Sequence, residues 1–158
     1  MQRRINWWVL VMAMVAVATP APADGPTSST GNGQLTAGGE LRTFAYTAIT
    51  GPDGNVKGQA QIFNRAQGNK THSSINCLNV VGNTAVVGGI ITKSTGGAFD
   101  NWTGVFAVQD NGEGNSDPAD RLSLTFVFPP GSGVTCFTFP FASFPTMPIE
   151  GGNIQVRP

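Results

Sequence analysis

Val81-Gly82-Asn83-Thr84 sets two turn-forming residues between two β-branched, apolar runs, and similar punctuation recurs along the chain. Glycine and asparagine tolerate the positive φ of a tight hairpin, so the runs on either side must pair antiparallel. Pro52-Asp53-Gly54 predicts a type I or II turn, and Gln67-Gly68-Asn69 a short loop with a left-handed residue. Between these breaks no segment keeps a helical period for more than two turns. A chain of this kind folds as strands, and short links between successive strands make a meander.

The expected strands are residues 33–36, 41–49, 55–64, 70–81, 84–93, 101–110, 121–128 and 153–157. Leu122, Leu124, Phe126 and Phe128 alternate with Arg121, Ser123 and Thr125, which predicts one buried and one wet face. Trp102, Gly104, Phe106 and Val108 repeat that pattern against Thr103 and Gln109. Ala85, Val86, Val87, Ile90 and Ile91 are apolar on both faces, so their strand is expected at the centre of the sheet or under a loop. The fold class is therefore all-β, an antiparallel eight-stranded meander forming a small barrel or a two-sheet sandwich. A meander of this length protects its edges best by closing on itself.

Residues 129–152 break the rhythm. Five prolines, Pro129, Pro130, Pro140, Pro145 and Pro148, deny the segment a central strand position, while Phe137, Phe139, Phe141, Phe144 and Met147 need burial. These demands predict an ordered flap over the barrel or sandwich, tied down by Cys136. Phe137, Phe139, Phe141 and Phe144 are then candidates to line a ligand pocket at an apolar mouth.

Arg3 and Arg4, an apolar run from Trp7 to Ala18 and the small residues Ala21-Pro22-Ala23 have the layout of a secretory signal peptide. The run is about 12 residues, against roughly 18 for a permanent membrane-spanning helix. Cleavage is expected after Ala23, the competing reading being an uncleaved anchor. Removing residues 1–23 from 158 leaves 135, the size of one domain. Residues 24–29 read as a flexible leader and residues 30–158 as a single β domain. With Arg3 and Arg4 gone, seven Lys and Arg face nine Asp and Glu, a net charge of −2. That balance, without any basic cluster, argues against nucleic acid and anionic membranes as partners.

The two cysteines, Cys77 and Cys136, are expected to pair as a disulfide in an oxidising, extracellular setting. Closing a loop of roughly 60 residues contributes about 4 kcal/mol in the chain-entropy description. A metal or catalytic thiol pair is the alternative, with one histidine in the whole chain and no C-x-x-C to support it.

Asp110, Glu113, Asp117 and Asp120 crowd the link between two expected strands. An EF-hand starting at Asp110 would need ligands where Gly112 and Gly114 stand, glycine at Asn115 and glutamate at Arg121, so that motif fails. Two readings stay open: a looser calcium loop using the four carboxylates, or a solvated hairpin loop in which Asn111-Gly112 supplies the turn. No other cofactor is suggested. His72 lies beside Ser73, and neighbours on a strand point to opposite faces, so the two cannot act together as base and nucleophile. A catalytic His72 would need another partner such as Asp100. No nucleophile elbow or phosphate loop occurs. Asn69-Lys70-Thr71 and Asn101-Trp102-Thr103 are glycan acceptor sequons in a eukaryotic secretory pathway.

Several phrases taken in order resemble a family of small secreted bacterial all-β proteins related to the post-COAP type of domain. They are Thr30-Gly31-Asn32-Gly33-Gln34, Ile75-Asn76-Cys77-Leu78, Val81-Gly82-Asn83-Thr84-Ala85, Val108-Gln109-Asp110-Asn111-Gly112-Glu113-Gly114 and Gly151-Gly152-Asn153-Ile154-Gln155-Val156. The likeness runs from about Thr30 to Arg157. It departs from the family at Asn32, where a glycine triplet is usual, and at Val156-Arg157, where Val-His is more common. The resemblance implies export and an all-β domain and carries no catalytic residue.

The expectation from sequence is thus a secreted or cell-surface β domain, a non-catalytic binding or structural module with an unidentified cell-surface or extracellular partner. The alternative is a small apolar-ligand-holding or enzymatic barrel with its site under the flap at residues 137–147.

Overall fold

The structure is a computed structural model that describes residues 26–114 and 116–158. The expected signal peptide, residues 1–23, lies outside the described residues. Ten antiparallel strands form one sheet curled into a half-barrel: β1 (Ser28–Ala37), β2 (Glu40–Thr50), β3 (Val56–Asn64), β4 (Asn69–Val81), β5 (Thr84–Ser94), β6 (Thr103–Gln109), β7 (Arg121–Ser123), β8 (Phe126–Phe128), β9 (Thr146–Pro148) and β10 (Gly151–Arg157). Their order is β10-β1-β2-β3-β4-β5-β6-β7-β9, with β8 also on β6, so the meander runs as expected from β1 to β7. No helix among the described residues is long and apolar enough to cross a membrane.

Alternation along β2 shows how the sheet faces its core. Phe44, Tyr46 and Ala48 point inward and are buried, while Ala45 and Thr47 are exposed. Across the ladder Ala48 meets Gly58 on β3, Gly58 meets Ile75 on β4, and Ile75 meets Gly89 on β5. A Cβ at Gly58 would run into the Thr47 carbonyl oxygen, and one at Gly89 into the Ser74 carbonyl oxygen. Backbone approaches side chain space at this row, which is how glycine lets a sheet bend into a curl. Inside lie Leu35, Phe44, Tyr46, Val87, Phe106, Val108, Leu122 and Ile154.

A second apolar cluster lies on the opposite face. Val86 on β5 and Val105 and Ala107 on β6 point outward, and Cys136 and Phe144 cover them. The strand at β5 is therefore central and also covered, as its two-sided apolar pattern predicts. With Phe106 and Val108 in the inner core and the cover over Val105 and Ala107, every residue from Gly104 to Val108 is buried, so the one-sided alternation expected for β6 does not hold. The Cys77–Cys136 disulfide pins the flap to β4.

Four further expectations need correction. The leader does not extend to residue 29: β1 begins at Ser28, and Ser29 is buried with its hydroxyl 2.9 Å from that of Tyr46. Residues 121–128 are two strands, because Ser123 to Thr125 oppose only Phe106 and Ala107 between the pairs Leu122–Val108 and Phe126–Val105. The Ser123 hydroxyl accepts the Ala107 amide at 2.8 Å and replaces a ladder bond there. One extra residue flips every later side chain. Hence Ser123 is buried, while Leu124 and Phe126 are exposed by more than a third. The tenth strand, β9, comes from inside the proline-rich flap, at its edge on β7, where a proline needs no ladder partner on its free side.

The flap covers the outer face of β5 and β6, not the opening of the curl. Phe144 packs edge-on against Phe126 at 5.5 Å and Phe139 stacks on Phe128 at 5.9 Å. The bulge at Ser123 is what turned Phe126 outward to meet them.

Candidate functional site

The acidic link between β6 and β7 comes back to the last strand. β10 pairs on one side with β1, Asn153 opposite Asn32 and Gln155 opposite Thr30. On its other side the Ile154 amide donates to Asp120 Oδ2 at 2.7 Å and the Val156 amide to Asp110 Oδ2 at 2.9 Å. The remaining oxygens of the same carboxylates accept Asn111 and Gly112 amides. Glu113 Oε1 accepts from the side-chain amides of Asn153 and Gln155, at 2.9 and 2.7 Å. Those two donors, Gln155 first, hold its carboxyl below the ordinary glutamate value. Asp117 accepts the Gly114 amide within the link. The four candidate calcium ligands thus engage amides of the chain itself, and no group of three or more His, Cys, Asp or Glu poised for a metal occurs among the described residues. Nor is the link only a solvated loop, since Asp120 is buried and its carboxylate ties the link to β10.

His72 stands on the outer face in a row that runs Asn153, Asn32, Ala45, Gln61, His72, Lys93 from β10 to β5. The row belongs to an open groove of about 1020 Å³ walled by hydroxyl and amide side chains. Asp100 is engaged elsewhere, accepting the amide and hydroxyl of Ser94. Ser73 pairs with Ala60, whose side chain points into the core.

None of the four phenylalanines expected at a ligand mouth lines the outer groove or the cavity that enters the curl. Phe144 is buried on the outer face, Phe139 and Phe141 are half-buried beside it, and Phe137 is 68% exposed. None lines the cavity that does enter the curl.

That cavity, about 300 Å³, lies at the end of the half-barrel where Arg42 and Asn64 face each other across β2 and β3. Leu35, Phe44, Ile62, Ile91 and Leu122 form its floor and walls, and Phe99, Leu124 and Thr125 stand at its rim. A ring of polar groups closes one side. Glu40 accepts from Asn64 Nδ2 at 2.6 Å, Gln67 Nε2 at 2.7 Å and Arg42 Nη2 at 3.1 Å. Asn64 and then Gln67 are the main reasons its carboxyl is held below the usual glutamate range. Two side-chain atoms of residues that line it, Arg42 Nε and Thr125 Oγ1, are buried without a hydrogen-bond partner among the described residues.

The outer groove is larger, but water can hydrate its open polar walls at no cost. The inner cavity combines apolar walls with a few polar side chains, the character of a small-molecule site. No family model, curated protein or solved structure matches the chain.

Sequence reasoning did not single out Arg42 or Thr125. For Arg42 the signal existed, because Arg42 shares the inward parity of Phe44, Tyr46 and Ala48 on β2. For Thr125 it did not, because the bulge that aims it is a tertiary event.

Proposed function

We propose that this chain is an exported, non-catalytic binding module that holds a small, largely apolar molecule in the cavity at the end of its half-barrel. One observation carries the reading: a cavity of about 300 Å³, at the low end of the size range for small-molecule sites, is walled by Phe44, Ile62, Ile91 and Leu122. The lining hydroxyls of Thr71, Ser123 and Thr125 have no His, Asp or Glu beside them on the cavity wall to act as a general base. Export rests on the signal-peptide pattern at residues 1–23 and on the cysteine pair, with which the resemblance to small secreted bacterial β proteins agrees. The site differs from a pocket under the 137–147 flap, since Phe139, Phe141 and Phe144 pack on β5, β6 and β8 and Phe137 faces solvent.

The test is thermal and mass-based. Purified mature protein should gain melting temperature with benzene-sized apolar probes, because a molecule that binds only the native state stabilises it. Leu124→Trp, which fills the rim, should abolish the gain while the protein stays folded. A protein whose melting temperature ignores every such probe, and whose native mass spectrum shows no bound small molecule, overturns the proposal.

A further inference from the structure

We propose that the outer groove is a second binding site, for an extended glycan of neutral sugars that carries one carboxylate at its Lys93 end. The site is separate from the inner cavity and does not depend on it. The row from Asn153 to Lys93 has a neighbour two residues along each strand, which runs Gln155, Thr30, Thr47, Gln59, Ser74. Both rows line the groove of about 1020 Å³. From β10 to β5 they cross five strand spacings of about 4.8 Å each, the length of several linked sugars.

The relief of this face comes from side-chain size. Phe44, Tyr46 and Ala60 anchor the alternate positions in the core, so the outward side chains stand on a fixed base. Ala45 and Thr47 on β2 are short and make a floor. Longer amides flank it, Asn32 and Asn153 on one side and Gln59 and Gln61 on the other. Glu113 holds the Asn153 and Gln155 amides in place.

Because water already hydrates these walls, a ligand can displace it without loss only by returning the same hydrogen bonds. A carboxamide both donates and accepts, and so does a hydroxyl, so a chain of hydroxyls matches a field of asparagine, glutamine, serine and threonine. An apolar molecule would strip the water and replace nothing. An extended peptide adds to a sheet through free edge amides, which the face of a sheet does not offer.

Charge sets the end of the ligand. Lys93 stands opposite His72, no Asp or Glu lines the groove, and the one ion pair among the described residues joins Arg42 to Glu40. The Lys93 ammonium is therefore open to one ligand anion. A polyanion such as a nucleic acid would find no second lysine or arginine in the lining.

Maltotetraose, cellotetraose, xylotetraose and mannotetraose, each beside the aldonate made by oxidising its reducing end, can be titrated into the full mature chain and followed by NMR. A neutral probe should shift the side-chain amides of Asn32, Gln59 and Gln61 with a dissociation constant in the millimolar range. Its aldonate should bind about two- to fivefold more tightly, the size of an exposed ion pair. High salt or Lys93→Met should remove that gain and leave neutral binding unchanged. The double variant Gln59→Ala with Gln61→Ala, at exposed positions, should lose both while keeping its melting temperature. If none of these probes moves the groove amides, or if the double variant binds as the natural protein does, the site is overturned. Equal binding of a sugar and its aldonate, or a gain that survives in Lys93→Met, overturns the carboxylate and leaves a site for neutral sugars. Either failure leaves the inner cavity untouched, since benzene-sized apolar probes report on that cavity alone.

Discussion

Asp120 holds the backbone amide of Ile154, 34 residues away, at 2.7 Å in the buried interior. Asp110 holds Val156 in the same way one pleat further on. β10 therefore meets carboxylates where a strand would otherwise have presented a row of unpaired amides, the exposed edge that invites aggregation. The link between β9 and β10 is clipped as well, with the Ile149 amide donating to the Asp120 carbonyl and the Glu150 amide to that of Gln34.

Asp120→Asn should destabilise the fold by about 1–3 kcal/mol, because an amide offers one acceptor where the carboxylate serves both Asn111 and Ile154. Asp117→Asn, whose side chain among the described residues accepts the exposed Gly114 amide alone, should stay within about 0.5 kcal/mol of wild type. Urea denaturation checks both. Equal midpoints for Asp120→Asn and Asp117→Asn would show that the carboxylate does not hold the last strand.

Removing the Cys77–Cys136 bond should cost about 4 kcal/mol, from the 59-residue separation it spans. The flap is expected to loosen first, since Phe144 and Phe139 cover β5 and β6 only while Cys136 is tethered. Binding of a hydrophobic dye by reduced, still folded protein checks this, and no dye binding before global unfolding would contradict it.

Tyr46 is the single tyrosine, so tyrosinate absorbance reports it alone. Burial, assisted by the nearby Asp120 and Asp110 and opposed by the Ser29 hydrogen bond, pushes its pKa well above the ordinary 10.0. The unfolded chain gives up the proton near pH 10 while the native protein keeps it, so this stability is whole below pH 10 and drains away as pH rises above it. Tyr46→Phe should lose that alkaline dependence and about 1 kcal/mol at neutral pH, from the bond to Ser29. A native tyrosinate signal rising near pH 10 would disprove the burial argument.

Glu113 tests the outer part of the latch. Its folded pKa lies below 4.5 because Gln155 and Asn153 donate to it, so the contact is fully present above pH 4.5 and fades as pH falls through the lowered value. An NMR titration should place its midpoint below 4.5, and the double variant Asn153→Ala with Gln155→Ala should return it there. An identical midpoint in both proteins would rule out the two amides as the cause.

The antiparallel meander was legible because its signals are local. Gly82 and Asn83 turn the chain between β4 and β5, and Phe44, Tyr46 and Ala48 keep the period of a strand wherever the sheet lies. Pairing of Cys77 with Cys136 was legible too, since two cysteines admit one intrachain bond. The candidate site was not: the phenylalanines drew attention to the flap, while the cavity is framed by an inward arginine and a threonine whose facing depends on a bulge.

Strand, turn and disulfide were determined by the sequence alone, because strand and turn rest on backbone sterics among a few neighbours and the disulfide on there being two cysteines to pair. Which face Phe126 and Thr125 take, and that Asp110 and Asp120 grip β10, were decided only by the tertiary structure. Those outcomes depend on amides that no nearby residue can satisfy, and the chain must close on itself before the Ser123 hydroxyl finds Ala107 or the carboxylates find Ile154 and Val156.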